Sequence, residues 1–250
     1  MTLYMIGIGL WDEKDITVKG LEAVKKCKHV FLESYTSKLG ISTEKLEKFY
    51  GKKIVLADRE MVEKQAEKII APAKSEDVAF LVIGDVFGAT THTDIFLRAK
   101  EEKVNIKVIH NASVLNAVGV VGLELYKFGK TTSIPFDNAN VETPYNVLKE
   151  NSKAGIHTLL LLDIRSEEDK FMTVNQGIEF LLSVEKKRKE KAFTEDTLCV
   201  GVARLGSPDQ KIVAGKAKSL LSIDFGAPLH CIIVPGKLHF VEEEALEQWK

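Results

Sequence analysis

The run Val78-Ala79-Phe80-Leu81-Val82-Ile83 is apolar throughout and closes on Gly84. A short unbroken run bounded by glycine reads as a strand buried on both faces of a sheet. Next comes Asp85-Val86-Phe87-Gly88-Ala89-Thr90-Thr91-His92-Thr93-Asp94, and then Ile95 to Lys100, which reads as a helix. The chain therefore leaves a central strand at its carboxyl end, turns on Gly84 and Gly88, and places Asp85 in the crevice where open α/β sheets hold ligands. The two glycines allow positive φ or close approach of backbone to a ligand. An ordinary strand-to-helix turn capped by Thr or Asp needs one glycine and one cap. Here small and polar residues run on from Gly84 to Asp94.

The same alternation of strand and helix fills this half of the chain. Leu3 to Ile8 is apolar and turns at Gly7-Ile8-Gly9-Leu10, but Asp12 stands at the third glycine position of a dinucleotide fingerprint, which excludes that motif. Asp15 and Thr17 offer a helix start, with Val18, Leu21, Val24 and Cys27 on one face. Val30 to Glu33 is a second strand. Ser42 to Tyr50 is an amphipathic helix with Leu46 and Phe49 inward, and Lys53 to Ala57 is a third strand. Asp58 caps a helix carrying Val62, Ala66, Ile69 and Ile70, and Ile106 to Ile109 is a further strand. Such alternation implies right-handed crossovers and a mostly parallel sheet. Ser113 reads as the N-cap of a helix running through Leu123, in which Gly119 and Gly122 allow close packing.

From Pro135 to Pro144 the sequence becomes loop-like, and a second set of elements begins. His157 to Ile164 is a buried strand ending in an acid, Asp163. A helix carries Val174, Ile178, Leu181 and Leu182, and the charged run Glu185 to Lys191 reads as its solvated end. Leu198 to Ala203 and Lys211 to Gly215 pair as a hairpin, and Leu229 to Gly236 is the last strong strand. Neighbouring strands without a helix between them make this sheet mixed. The expected fold is α/β in two lobes: residues 1–112 around a mostly parallel sheet, residues 113–250 around a mixed one, with a cofactor cleft between them.

Composition narrows the function. The chain has 250 residues, 45% of them hydrophobic, enough for one large core or two smaller ones. Its formal net charge of -1 argues against a primary nucleic-acid binder. No apolar run approaches the roughly 18 residues of a membrane span, and the N-terminus lacks a basic leader. Cys27, Cys199 and Cys231 are odd in number and set in apolar segments, as expected of buried reduced thiols in a cytoplasmic protein. Neither Cys-x-x-Cys nor His-Glu-x-x-His occurs, so no metal site is expected.

Several stretches in order resemble one family: Tyr4 to Leu10, Asp15 to Ala23, Gly84-Asp85 through His92, Ile109 to Val114, Leu125 to Gly129, His157 to Ile164, Arg204 to Ser207 and Pro228 to His230. They are similar to the diphthine synthases, in particular the eukaryotic-like branch that makes the methyl ester. This is a group within the tetrapyrrole-methylase-like superfamily, and the resemblance spans essentially the whole chain. It implies S-adenosyl-L-methionine as methyl donor, with S-adenosyl-L-homocysteine as product, bound between the lobes of a homodimer. Carried onto matching positions, the donor contacts are Leu10, Asp85, Gly88, Ser113, Val114, Leu162, Leu205 and His230. The implied substrate is a modified histidine of translation elongation factor 2, methylated on its amine and, in the eukaryotic-like branch, on its carboxylate as well.

An amine of that kind titrates at about 8 to 10 and is mostly protonated at neutral pH. Each N-methylation therefore needs the amine to lose a proton before it attacks; the third leaves a quaternary ammonium with no N–H, and the ester step needs no base. Holding donor and acceptor in line can lower a barrier by roughly 7 to 11 kcal/mol. The catalytic residue therefore stays unassigned, with His92 and Asp163 the nearest candidates for a proton acceptor. Two other readings stay open: a related methylase acting on a tetrapyrrole or other small molecule, and a non-catalytic scaffold that binds the elongation factor.

Overall fold

Five parallel strands build the first sheet of the computed structural model, which describes every residue from Met1 to Lys250. In chain order its elements are β1 (Thr2–Gly7), α1 (Val18–Lys26), β2 (His29–Glu33), α2 (Thr43–Tyr50), β3 (Val55–Ala57), α3 (Arg59–Glu63), α4 (Glu67–Ile70), β4 (Val78–Val82), α5 (Thr93–Glu101) and β5 (Asn105–Ile109). They belong to a compact unit of Met1–Leu115 with Ser166–Glu168. The strand order is β3-β2-β4-β1-β5, so the apolar run is the central strand, and all of β4 is buried. Side chains alternate across the sheet. Ile6, Ala79 and Leu81 pack with Val24 of α1 and with Leu46 and Tyr50 of α2. Met5, Phe80 and Val82 pack on the opposite face with Val62, Ile69, Ile95 and Ala99 of α3, α4 and α5. The chain thus leaves β1 toward one face and the adjacent β4 toward the other, and their carboxyl ends frame a topological switch point.

Local chemistry explains most helix limits. Thr17 accepts a hydrogen bond from the Gly20 N–H to open α1, Ser42 does the same for α2, and Gly51 ends α2 at φ +68°. Two expected inward residues point out: Val18 is 75% exposed and Phe49 41% exposed. Tyr50, four residues after Leu46, takes the inward place instead. The helix expected from Asp58 to Ile70 is two helices, α3 and α4, although Val62, Ala66, Ile69 and Ile70 are all buried as read. Nothing in the sequence marks the break. The helix expected to reach Leu123 is a short α6 (Val114–Ala117) followed by a 3-10 turn, Val118–Val121. Gly122 stops it at φ +93°, where a Cβ would fall 2.3 Å from the Ala245 Cβ.

The second unit comprises Asn116–Arg165 and Asp169–Lys250. Its elements are β6 (Thr132–Ile134), α7 (Thr143–Lys153), β7 (Thr158–Leu162), β8 (Ile164–Arg165), β9 (Lys170–Phe171), α8 (Val174–Arg188), β10 (Leu198–Ala203), β11 (Lys211–Lys216), α9 (Ala217–Leu220), β12 (His230–Val234) and α10 (Phe240–Glu247). The main sheet runs β11-β10-β12-β7-β6; only the β6–β7 pair is parallel, so the sheet is mixed. Thr173 and Gln176 form a capping box that opens α8. Gly177 lets that helix sit directly on Leu162 and Ile232. The charged run at the end of α8 is stitched down rather than merely solvated. Glu185 accepts from the Tyr145 hydroxyl and from the Lys191 and Phe193 N–H groups, and Arg188 pairs with Glu142 and Glu190.

Candidate functional site

Three loops leave the carboxyl edge of the first sheet, after β1, β4 and β5. Gly9 and Gly84 exchange backbone hydrogen bonds of 3.2 and 2.7 Å. Both have positive φ, and a Cβ on Gly7 would lie 2.6 Å from the Gly84 carbonyl. Only glycines let the β1 and β4 loops meet this closely at the switch point. The β5 loop is locked on by contact: a Cβ on Gly88 would lie 2.7 Å from both Cβ and Oγ of Ser113. Asn111 completes the knot, donating through Nδ2 to the carbonyls of Gly7 (3.0 Å) and Asp15 (2.9 Å). The structure therefore gathers Leu10, Asp85, Gly88, Ser113 and Val114 around one crevice edge.

Asp85 does not extend freely into that crevice. Oδ1 accepts from the Phe87 N–H at 3.0 Å; Oδ2 accepts from the Asn111 N–H at 3.0 Å and lies 2.9 Å from His110 Nδ1. Burial raises its pKa, but those donors outweigh burial and hold the carboxyl below its ordinary value. Asp15, expected to start α1, instead closes the β1 loop: Oδ2 accepts from the N–H groups of Leu10, Trp11 and Asp12 at 3.2, 2.7 and 3.3 Å. Two carboxylates thus occupy backbone donors of the kind that would otherwise cradle a phosphate. The edge suits a neutral or cationic ligand that hydrogen-bonds to backbone and sits against fixed negative charge.

Each unit holds one of the two candidate proton acceptors. His92 is fully buried, its ring edge-on to Phe80 at 5.3 Å, with Nδ1 3.4 Å from the Val86 carbonyl and Nε2 without a partner. Burial pushes its pKa down, so it is a neutral imidazole supporting the turn from below. Asp163, in the second unit, accepts from the Phe136 N–H (2.8 Å) and the Ile164 N–H (2.9 Å) and acts as a loop cap.

In the second unit, β7 and β10 both run antiparallel to β12, which lies between them. Their carboxyl ends therefore share an edge with the start of β12. Leu161 faces Cys231 and Ala203 faces His230, so Leu162, Leu205 and His230 come to the same edge. His230 Nε2 donates to the Ala227 carbonyl at 2.9 Å and Nδ1 accepts from the Val174 N–H at 3.3 Å. Burial pushes its pKa down.

Two side chains at this edge of the sheet carry no clear signal of their role in the sequence. Asn111 was visible only as a turn residue, because its partners lie about a hundred positions away. Glu33, fully buried at the end of β2, accepts from the N–H groups of Tyr35 and Thr36 and from the Thr36 hydroxyl. Its single signal was an acid closing an apolar run.

The sequence and the fold are both similar to those of known proteins. A family profile described as Tetrapyrrole (Corrin/Porphyrin) Methylases matches residues 2–221. A Dictyostelium discoideum protein named diphthine methyl ester synthase is 51% identical over 269 aligned positions, covering 100% of this chain and 98% of its own. A Methanocaldococcus jannaschii protein named diphthine synthase is 50% identical, covering 98% of this chain and 97% of its own. A crystal structure of diphthine synthase, 40% identical, superposes with a TM-score of 0.92 and covers 100% of this chain and 96% of that one.

Proposed function

The chain belongs to the tetrapyrrole (corrin/porphyrin) methylase family, and on that premise we propose that it methylates the modified histidine of translation elongation factor 2. It is an S-adenosyl-L-methionine-dependent methyltransferase of diphthamide biosynthesis. The observation that carries the reading is full-length identity of about half to diphthine and diphthine methyl ester synthases from eukaryotes and archaea alike. The first-sheet edge, with its phosphate-cradling donors taken up by Asp15 and Asp85, suits a donor that has no phosphate and carries a positive sulfur.

The donor supplies an electrophilic methyl group. Leu10, Asp85, Gly88, Ser113 and Val114 are its proposed contacts from the first unit, and Leu162, Leu205 and His230 those from the second. Asp85, ionised and fixed by its donors, supplies negative charge opposite the sulfonium or an acceptor for a ribose hydroxyl. The loops fix direction, and alignment of amine and methyl supplies most of the acceleration. His92 has no exposed surface through which an amine could reach it, and Asp163 is engaged by two backbone N–H groups. The amine sheds one proton for each of the three N-methylations, and in this reading each passes to solvent. The eukaryotic-like product carries a fourth methyl group on the carboxylate, and the enzyme works as a cytoplasmic homodimer. No helix is long and apolar enough to cross a membrane.

The test is mass spectrometry of elongation factor 2 bearing the aminocarboxypropyl histidine after incubation with enzyme and methyl-labelled donor. Three methyl groups define the diphthine product and four the methyl ester. Label entering corrin precursors but not the elongation factor would replace this reading with the small-molecule one. Sedimentation of the purified protein checks the dimer.

A further inference from the structure

Arg204 lies directly after β10, is 9% exposed, and takes a left-handed backbone at φ +51°. A non-glycine residue held there is strained and persists only where its surroundings fix it. What fixes it is on both sides of the backbone. Its N–H donates to the Leu229 carbonyl at 2.8 Å. Its guanidinium donates through Nη1 to the carbonyls of Phe225 and Ala227, both at 2.7 Å. Nε and Nη2 donate to Asp209, whose carboxylate lies 2.8 Å from Nε. One planar fork therefore joins the loop of residues 204–210 to the loop of residues 224–230, a geometry that an ammonium cannot reproduce. The second loop is also seated on β10, where a Cβ on Gly201 would lie 2.4 Å from the Phe225 ring.

The Ala227 carbonyl is the shared point. It accepts from Arg204 Nη1 and from His230 Nε2, so the arginine holds the group that sets the imidazole's tautomer and orientation. With Nε2–H committed to Ala227, Nδ1 is the acceptor for the Val174 N–H. Charge acts in the same direction: burial first and the Arg204 cation after it disfavour the imidazolium, while the Ala227 carbonyl and Asp224 oppose them.

We propose that Arg204 is a positioning residue for the methyl donor: it sets the neutral His230 imidazole and the direction in which the Leu205 peptide leaves β10. This rests on the reading that Leu205 and His230 touch the donor. Arg204 itself is spent on carbonyls and on Asp209, and acts through its neighbours.

The experiment measures donor affinity by calorimetry, steady-state kinetics and thermal unfolding for the full chain and for Arg204→Lys, Asp209→Ala and His230→Ala. Arg204→Lys keeps the charge and loses the fork; the donor Kd and KM rise about tenfold or more, and kcat at saturating donor stays within about threefold. Asp209→Ala removes only the exposed end of the network and raises Kd by about threefold, which keeps the test available if the lysine variant does not fold. The His230 imidazole resonance, followed by NMR against pH in Arg204→Gln, titrates at higher pH than in the parent, as loss of the neighbouring cation requires; the rise in donor Kd and KM at constant kcat is what a purely structural arginine would not produce. An unchanged Kd in a folded Arg204→Lys or in Asp209→Ala, with His230→Ala impaired, overturns the proposal. An unchanged Kd in His230→Ala as well overturns the contact reading beneath it.

Discussion

Asp85 carries two duties that ordinary mutagenesis would confound. Its carboxylate organises the N–H groups of Phe87 and Asn111, and it also supplies the charge proposed to face the donor. Asp85→Ala leaves both N–H groups without their acceptor, so it should cost about 1–3 kcal/mol of stability as well as affinity. Asp85→Asn keeps one acceptor and removes the charge. Because one of the two N–H groups then faces an amide NH2, we expect its melting temperature to lie between those of Asp85→Ala and the parent, while donor affinity falls about tenfold or more by calorimetry. Equal affinity in a folded Asp85→Asn would remove charge from the account. Because the folded carboxyl titrates below its ordinary value, the charge is present above the normal carboxyl range and is lost as pH falls through the depressed value. The cysteines make a second case at this scale. Burial pushes Cys27, Cys199 and Cys231 up to about 12 each, so a disulfide reagent at neutral pH should modify none in the folded protein and all three after denaturation. Rapid native labelling would contradict their burial. The place of Asp85 at the end of the central strand was legible from the buried run and its flanking glycines. Arg204 and Asn111 were not, because their meaning lies in carbonyls far along the chain.

At the scale of elements, the fully buried strands were the readable part. β4, β7, β10 and β12 are runs whose burial leaves almost no polar alternatives, and the antiparallel partner of β10 followed from the lack of an intervening helix. β6 was missed because three residues, Thr132-Ser133-Ile134, carry no periodic signal and become a strand only by pairing with β7. α10 shows a different limit. Its anchor, Glu242, is 1% exposed and sits in an element whose exposed residues include Phe240 and Val241. Glu242 accepts from the Glu124 and His239 N–H groups at 3.0 and 2.8 Å, lies 2.9 Å from His157 Nε2, and pairs with Lys127. The Gly236 N–H donates to His157 Nδ1, which makes Nε2 the protonated nitrogen that donates to Glu242. Burial raises the Glu242 carboxyl, but Lys127 and the other donors lower it further, to about 2. A depressed carboxyl contributes stability above its unfolded value near 4.5 and loses it as pH falls toward about 2. Glu242→Gln should therefore cost about 3 kcal/mol at neutral pH, as expected when one partner of a buried ion pair is removed, and the difference from the parent should shrink in acid. Chemical denaturation of both proteins from neutral pH down to pH 3 checks this. A constant gap across that range would show that the helix is held by packing alone.

For the whole molecule, the proposed donor contacts make a prediction that neither unit makes by itself. A ligand at a hundred times its Kd stabilises the state that binds it by about 2.7 kcal/mol. For a chain of this length that raises the melting temperature by roughly 5–10 °C. The more discriminating measurement is amide hydrogen exchange with and without S-adenosyl-L-methionine. Donor should slow exchange at Gly9-Leu10 and Phe87-Gly88 in the first unit, and at Leu205 to Ser207 and Leu229-His230 in the second. It should leave the outer helices α2 and α7 unchanged. The amides of Leu10, Trp11 and Asp12 are bonded to Asp15 before donor arrives, so their slowing should be modest. The Gly206 N–H has only a long 3.3 Å bond to the Gln210 side chain and should respond more strongly. Protection confined to the first unit would strike Leu162, Leu205 and His230 from the donor contacts and leave Arg204 as a purely structural clamp. Protection in both sets, lost from the second in Arg204→Lys, would establish that the fork after β10 prepares that unit for the donor.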